Sequence, residues 1–221
     1  MHITKANFKV QPDKYEFYKK EVAFLGFTVS QDGIKPSPDK VIGISDYPEP
    51  SNLKELQLFL GLSSYYRRFI MDYAKIARPL TKMLKGYDGN SQISKYQSKK
   101  FPVKFNSEQK ETFVRLKNIS TSEDVLIYPD FKKEFNLTTD ASDYEIGAVL
   151  SQGQIGKNRP ITFISRALAP CEEHYAANEK EILAIIWALD KLKKLLVYSK
   201  NQHINGPSTI NFFNGSEEQQ C

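Results

Sequence analysis

The chain has 221 residues, 40% of them apolar, with 14 Phe, 12 Tyr, two Cys and a formal net charge of +5. That length fits one or two domains, and the aromatic content excludes disorder throughout. The mild positive excess admits a polyanion partner without requiring one. Two cysteines build no disulfide framework and point to a reducing, intracellular setting. No apolar run approaches the roughly 18 residues of a membrane span, so no membrane partner is expected. Met1 to Lys14 is polar and basic, unlike a signal peptide, and reads like the middle of a longer domain.

In chain order, Tyr15 to Ser30 (YEFYKKEVAFLGFTVS) is rich in aromatic and β-branched residues and predicts two strands with a turn at Lys19-Lys20. Gln31-Asp32-Gly33 predicts a second turn, and Ile34-Lys35 a short return. Ser37-Pro38 predicts a helix start, with Ser37 as N-cap and proline at the first position, running to about Asp46. Ser51 is the expected cap of the next helix, with Glu55 near its first turn and Leu53, Leu56, Leu60 and Leu62 as its apolar stripe. Helical character continues through Tyr65 to Phe69 and again from Lys75 to Lys85. Gly86 to Lys104 reads as a linker or surface insertion. Asn106 predicts a cap for a helix from Ser107 to Ile119. Strands are predicted at Glu134 to Asp140, Gly147 to Gln152 and Pro160 to Ser165. Glu173 to Tyr198 is the longest predicted helix, with Ile182, Ile185, Ile186, Leu189, Leu192 and Leu196 recurring at helical spacing. Beyond Lys200 the composition turns polar and predicts no strand. Strands in succession followed by one long amphipathic helix predict a helix packed on one face of a small sheet.

Two positions carry potential chemistry. Asp140 ends a predicted strand, and Glu179 and Glu181 open the long helix. Taken singly, an Asp at a strand end is a turn residue, and a Glu early in a helix is a surface residue favoured by the dipole. Taken together, a carboxylate on a sheet and another on the covering helix can hold a divalent cation, and phosphodiester hydrolysis uses such ions in pairs. Helical geometry alone does not choose between Glu179 and Glu181.

The blocks LTTDAS, IGAVLSQ (Ile146 to Gln152), PITFISRAL (Pro160 to Leu168) and NEKEILAIIWAL (Asn178 to Leu189) resemble the RNase H domain of gypsy-type long-terminal-repeat retrotransposon Pol polyproteins. That resemblance implies that Asp140 and Glu181 are catalytic metal ligands for Mg2+ or Mn2+, weakly bound at best. Upstream, QPDKYEF, VAFLGF and SQDGIKPSPDKV resemble the segment after the polymerase active site, and LKELQLFLGLSSYYRRFI resembles the reverse transcriptase thumb helix. By resemblance, Phe24, Leu25 and Gly26 lie in a primer-grip hairpin. Gln57, Gly61 and Tyr65 share one helical face and would track a wide A-like minor groove. Without the resemblance, Tyr65 reads as core and Gly61 as a helix end. Arg67 and Arg68 either reach phosphates or solvate the helix. The implied partners are an RNA–DNA hybrid or template–primer duplex and, for a partial chain, a full-length Pol subunit.

The resemblance runs from about Ala6 to Leu196. It predicts an α+β chain in five parts: a palm remnant with the hairpin (1–36), a helical thumb (37–85), a linker (86–105), a partial RNase H-like domain of incomplete sheet and one long helix (106–198), and an atypical polar tail (199–221). The family's Tyr-x-Asp-Asp polymerase motif would lie upstream of Met1. Its Thr-Asp-His motif, bearing a third metal ligand, would follow the long helix, yet residues 199–221 contain no Asp. The expectation is a reverse transcriptase/RNase H segment, RNA-directed DNA polymerase and hybrid ribonuclease by family, but catalytically incomplete. A non-catalytic nucleic-acid-binding fragment, or a gene product without selected function, is the alternative.

Overall fold

The computed structural model describes residues 18–84, 101–121, 125–154, 157–196 and, for the backbone alone, 202–205. The upstream block through Phe17 and most of the expected linker lie outside the described residues.

Strands β1 (Glu21–Phe24), β2 (Phe27–Ser30) and β3 (Ile34–Pro36) form an antiparallel meander in that order. The first turn is Leu25-Gly26 rather than Lys19-Lys20, because both of those residues take positive φ, 48° and 78°. A two-residue turn with both central residues left-handed matches the strand twist of a hairpin. Helix α1 (Pro38–Ser45) starts at Ser37-Pro38 as expected. Helix α2 (Leu53–Tyr65) is capped by Asn52 rather than Ser51: the Asn52 side chain accepts from the Glu55 N–H. Ser51 instead gives its N–H and hydroxyl to the Glu55 carboxylate. A short 3-10 turn (Arg67–Phe69) leads to α3 (Tyr73–Thr81). Asn106 and Gln109 close a reciprocal capping box on α4 (Ser107–Ser120).

Helix α4 packs with the thumb helices. Phe113 and Leu116 share one core with Ile44, Leu56, Phe59 and Leu80, so the seam between cores falls after α4 rather than before it. Phe59 is wholly buried, with its ring 4.5 Å from Phe113 and 5.4 Å from Tyr47. Truncating such a side chain costs about 3–5 kcal/mol. Leu126 closes this unit, exchanging both backbone hydrogen bonds with Ile34.

The second unit is β4 (Phe135–Ala141), β5 (Glu145–Gln152), β6 (Arg159–Ala167), α5 (Ala177–Leu196) and β7 (Gln202–Asn205), in sheet order β6-β5-β4-β7. The last strand overturns the expectation that nothing regular follows Lys200. It runs parallel to β4, with Phe135 opposite Gln202 and Thr138 opposite Asn205, so that edge of β4 is paired. Its own residues carry no strand pattern; the long helix returns the chain to the open edge, and backbone pairing completes the crossover. The predicted helix start at Glu173 is displaced to Ala177, because Glu172–His174 forms a separate 3-10 turn. The buried stripe of α5 also differs. Ala184, Ile185, Ala188, Leu192 and Leu196 face the sheet, while Ile182 and Ile186 are exposed. The two alanines let the helix lie close over Ala148 and Leu150, which rotates the isoleucines outward.

Helix α5 covers one face of the sheet. The thumb docks on the other: the Ala74 N–H donates to Ser165 Oγ at 3.0 Å, and Phe163 packs against the thumb core.

Candidate functional site

Asp140 lies near the end of β4, exposed, and pairs in register with Gly147 of β5. Glu179 and Glu181 both start α5, but their carboxylates do different work. Glu179 accepts the Ala176 N–H at 2.8 Å and so serves the helix start. Glu181 is held above the usual carboxylate range, first by burial and then by the negative charge of Asp140. The structure therefore brings Asp140 and Glu181 into one electrostatic field. Lys180, beside Glu181, is buried and reaches Asp143 at 3.4 Å, on the β4–β5 turn.

Two further carboxylates meet at the thumb seam. Asp72, which precedes α3 with a left-handed φ of 53°, stands over β5. Its Oδ1 lies 3.3 Å from where a Cβ on Gly147 would sit, so only glycine leaves that carboxylate its full room. Burial, and then Asp140, raise the proton affinity of Asp72, while Lys75 lowers it. Glu145, on the same strand, is 5% exposed, and its Oε2 has no hydrogen-bond partner. Burial, with the charge of Asp72 next, pushes it up to about 7; Lys75 opposes through its charge and backbone N–H. Burial first, and neighbouring carboxylates second, thus raise the proton affinity of both acids at the seam. Among the described residues, no group of three or more His, Cys, Asp or Glu is close enough to hold a metal ion.

Phe24 and Leu25 project at the hairpin tip, 62% and 70% exposed, beside Gly26. The face of α2 bearing Gln57, Gly61 and Tyr65 is open, and a Cβ at Gly61 would meet nothing within 4 Å. Tyr65 is neither core nor free: its ring stacks on Phe27, and its hydroxyl donates to the Leu25 carbonyl. Arg67 donates to the Ser165 carbonyl, so it ties the thumb to β6. Arg68 sits over the Phe69 ring, and its Nε is buried without a partner. Gln57, Gly61 and Arg67 nevertheless share a cleft of about 600 Å³, whose far wall is Arg166 of β6. The Glu172 carboxylate orients Arg166 through both of its terminal nitrogens.

Asp72, Glu145 and Arg166 were not singled out from sequence. Asp72 carries a local signal, an Asp just before a helix. Glu145 carries one too, a charge heading an apolar strand. Arg166 carries none beyond its place in the PITFISRAL block.

Comparison with known proteins groups α4 with the sheet that follows it, although α4 packs in the first core. The family described as an RNase H-like domain found in reverse transcriptase matches residues 105–204. The Pol polyprotein of the Drosophila melanogaster transposon gypsy is 54% identical over 200 residues, covering 90% of this chain and 19% of the relative. That of the transposon opus is 50% identical over 194 residues, covering 88% and 19%. The Schizosaccharomyces pombe transposon Tf2-3 polyprotein is 32% identical over 188 residues, covering 85% and 13%. The chain thus spans about a fifth or less of the curated relatives it matches. Among solved structures, the foamy viral protease-reverse transcriptase in complex with RNA/DNA hybrid superposes with a TM-score of 0.70 at 22% identity, covering 90% of this chain and 25% of that one. The dRH form of the enzyme, in complex with dsDNA, superposes at 0.69 and 23% identity, covering 86% and 31%. No described helix is long and apolar enough to cross a membrane. The chain is thus a close homologue of gypsy-type retrotransposon Pol polyproteins over a stretch that includes an RNase H-like domain of reverse transcriptase.

Proposed function

We propose that the chain binds an RNA–DNA hybrid or template–primer duplex in the cleft between α2 and β6, and that Asp140 and Glu181 form a weak divalent-cation pair with little cleavage activity. The carrying observation is the cleft itself, which Gln57, the bare Gly61 and Arg67 of the thumb line together with Arg166 of the RNase H-like sheet. An amide, a gap for close approach and guanidinium groups suit a sugar–phosphate backbone that is recognised by shape. A net charge of +5 favours the encounter. The foamy viral structures of like fold hold dsDNA or RNA/DNA hybrid, which supports this partner class.

The donor set would be Asp140 near the end of β4 and Glu181 at the start of α5, two carboxylates whose charges are coupled. Magnesium accepts one or two carboxylates when water and substrate phosphates supply the rest. When bound, the ion would supply activation of water and stabilisation of the leaving oxygen. Two such ions need more carboxylates than this pair, and residues 199–221 offer no Asp.

Gly61→Glu tests the cleft. The new Cβ meets nothing within 4 Å, and leaving glycine favours the helix by about 0.5–1 kcal/mol, so the variant should fold at least as well as the parent. It also places a carboxylate where phosphates would run. Polarisation of a labelled hybrid should report parent affinity falling at least about tenfold between about 50 and 200 mM salt. The variant should bind at least tenfold more weakly at the lower salt. Equal binding by the two proteins would remove the cleft from the account.

A further inference from the structure

The hairpin turn holds Leu25 in a left-handed conformation that a branched side chain disfavours. Asn-Gly is the usual choice for such a turn. Something outside the hairpin must hold Leu-Gly in that shape, and the thumb supplies it. Tyr65 donates its hydroxyl to the Leu25 carbonyl, and Tyr66 donates to the Gly26 carbonyl at 3.0 Å. Consecutive tyrosines thus serve the consecutive carbonyls of the two turn residues. The Gly26 carbonyl also takes the Ser37 N–H at 3.0 Å.

The rings close around the same point. Phe27 stacks on Tyr65 with centroids 5.1 Å apart and planes at 14°. It meets Tyr66 edge-on at 5.7 Å, and the two tyrosines meet edge-on at 5.0 Å. A Cβ on Gly26 would lie 3.2 Å from the Tyr66 hydroxyl and 3.5 Å from the Tyr65 ring. Tyr66 is 1% exposed, so its hydroxyl has no solvent alternative to the Gly26 carbonyl.

We propose that Tyr65 and Tyr66 are positioning residues, a clasp that fixes the Leu25-Gly26 turn to the thumb and holds Phe24 and Leu25 out toward the end of a bound duplex. The hairpin is then carried by the thumb: wherever α2 sits on a duplex, the apolar tip is placed at a set distance from it. Tyr65 acts through the turn rather than as a groove contact of its own. The duplex part of this proposal rests on the binding proposed above; the clasp does not.

Two measurements on Tyr65→Phe, Tyr66→Phe and the double variant separate these parts. Phenylalanine keeps the rings and removes only the hydroxyls. Amide exchange in residues 21–37 should accelerate about tenfold or more in the double variant, while α2 amides stay within about twofold. Adding Leu25→Asn, which tolerates left-handed backbone, should restore slow exchange. The second measurement uses 2-aminopurine at the recessed 3′ end of a duplex, and again at an internal site. The double variant should keep duplex affinity within about twofold and lose the protein-induced change at the terminal probe alone. Unchanged exchange in residues 21–37 overturns the clasp, whatever the duplex does. Faster exchange with an unaltered terminal signal overturns the positioning role. If the parent binds no duplex, the binding proposal fails and the exchange data alone decide the clasp.

Discussion

Glu145→Gln is the sharpest perturbation of the thumb seam. Glu145 is almost fully buried, one carboxylate oxygen has no partner, and Asp72 and Asp140 add negative charge nearby. Its carboxyl is pushed from an ordinary 4.5 to about 7. In the unfolded chain it ionises near 4.5; in the folded chain it keeps its proton until about 7. Below 4.5 both states are protonated, and the group sets no penalty. Between 4.5 and 7 only the unfolded state gives up its proton, so stability falls as pH rises. Above 7 both are ionised and the full loss remains, about 3 kcal/mol at about 1.4 kcal/mol per pH unit. Glutamine cannot ionise, so the variant lacks this slope. Asp72 and Glu181 are also raised and persist in the variant, so the difference between the two proteins reports Glu145 together with its coupling to Asp72. The assay is urea unfolding from pH 4.5 to 8, followed by Trp187, the chain's single tryptophan, which packs against the core under α5. The variant should gain about 3 kcal/mol on the parent across that range. Parallel pH profiles would refute the reading of Glu145 as a buried, charge-crowded acid.

Gly33→Ala should unfold or severely weaken the thumb unit. Its φ is 141°, and an added Cβ would stand 2.1 Å from the Leu126 carbonyl oxygen, so a loss above about 2 kcal/mol is expected in urea titration. Asn106→Ala should cost about 1 kcal/mol by removing the side-chain oxygen that accepts the Gln109 N–H, while the backbone N–H at 106 still donates to Gln109; it is read as a lower midpoint of the same titration. Gly147→Ala should move Asp72 rather than unfold the sheet, because the tight contact is with the end of a side chain. Its signature is a smaller pH slope than the parent's, since Asp72 then lies farther from Glu145 and Asp140.

What could be read in advance follows from how local each feature is. Ser37-Pro38 and Asn106 mark helix starts through neighbouring atoms: both helices start there, Asn106 caps with its side chain, and Ser37 makes no side-chain cap bond. The β4–β5–β6 order and the long helix follow from pattern and resemblance. The Leu25-Gly26 turn is legible by resemblance but not from local pattern, because its left-handed leucine is held by tyrosines 40 residues away. The exposed Ile182 and Ile186 were mistaken for core because apolar spacing does not reveal which face alanines bring close to a sheet. Strand β7 was hidden because its pairing belongs to the returning chain rather than to Gln202–Asn205 itself. At the site, Asp140 and Glu181 were legible by resemblance. Asp72 was not, since only the docking of thumb on sheet brings it over Gly147.

The central claim is that this chain holds a duplex without turning it over efficiently. The direct test is one sample of end-labelled RNA–DNA hybrid with excess protein and Mg2+ or Mn2+, followed by polarisation for binding and by gel for released RNA. The parent and Asp140→Asn are run side by side. The account predicts salt-sensitive binding by both proteins, with little or no RNA release from either. Robust release by the parent that Asp140→Asn abolishes would contradict it, and would mean that other carboxylates complete a working site.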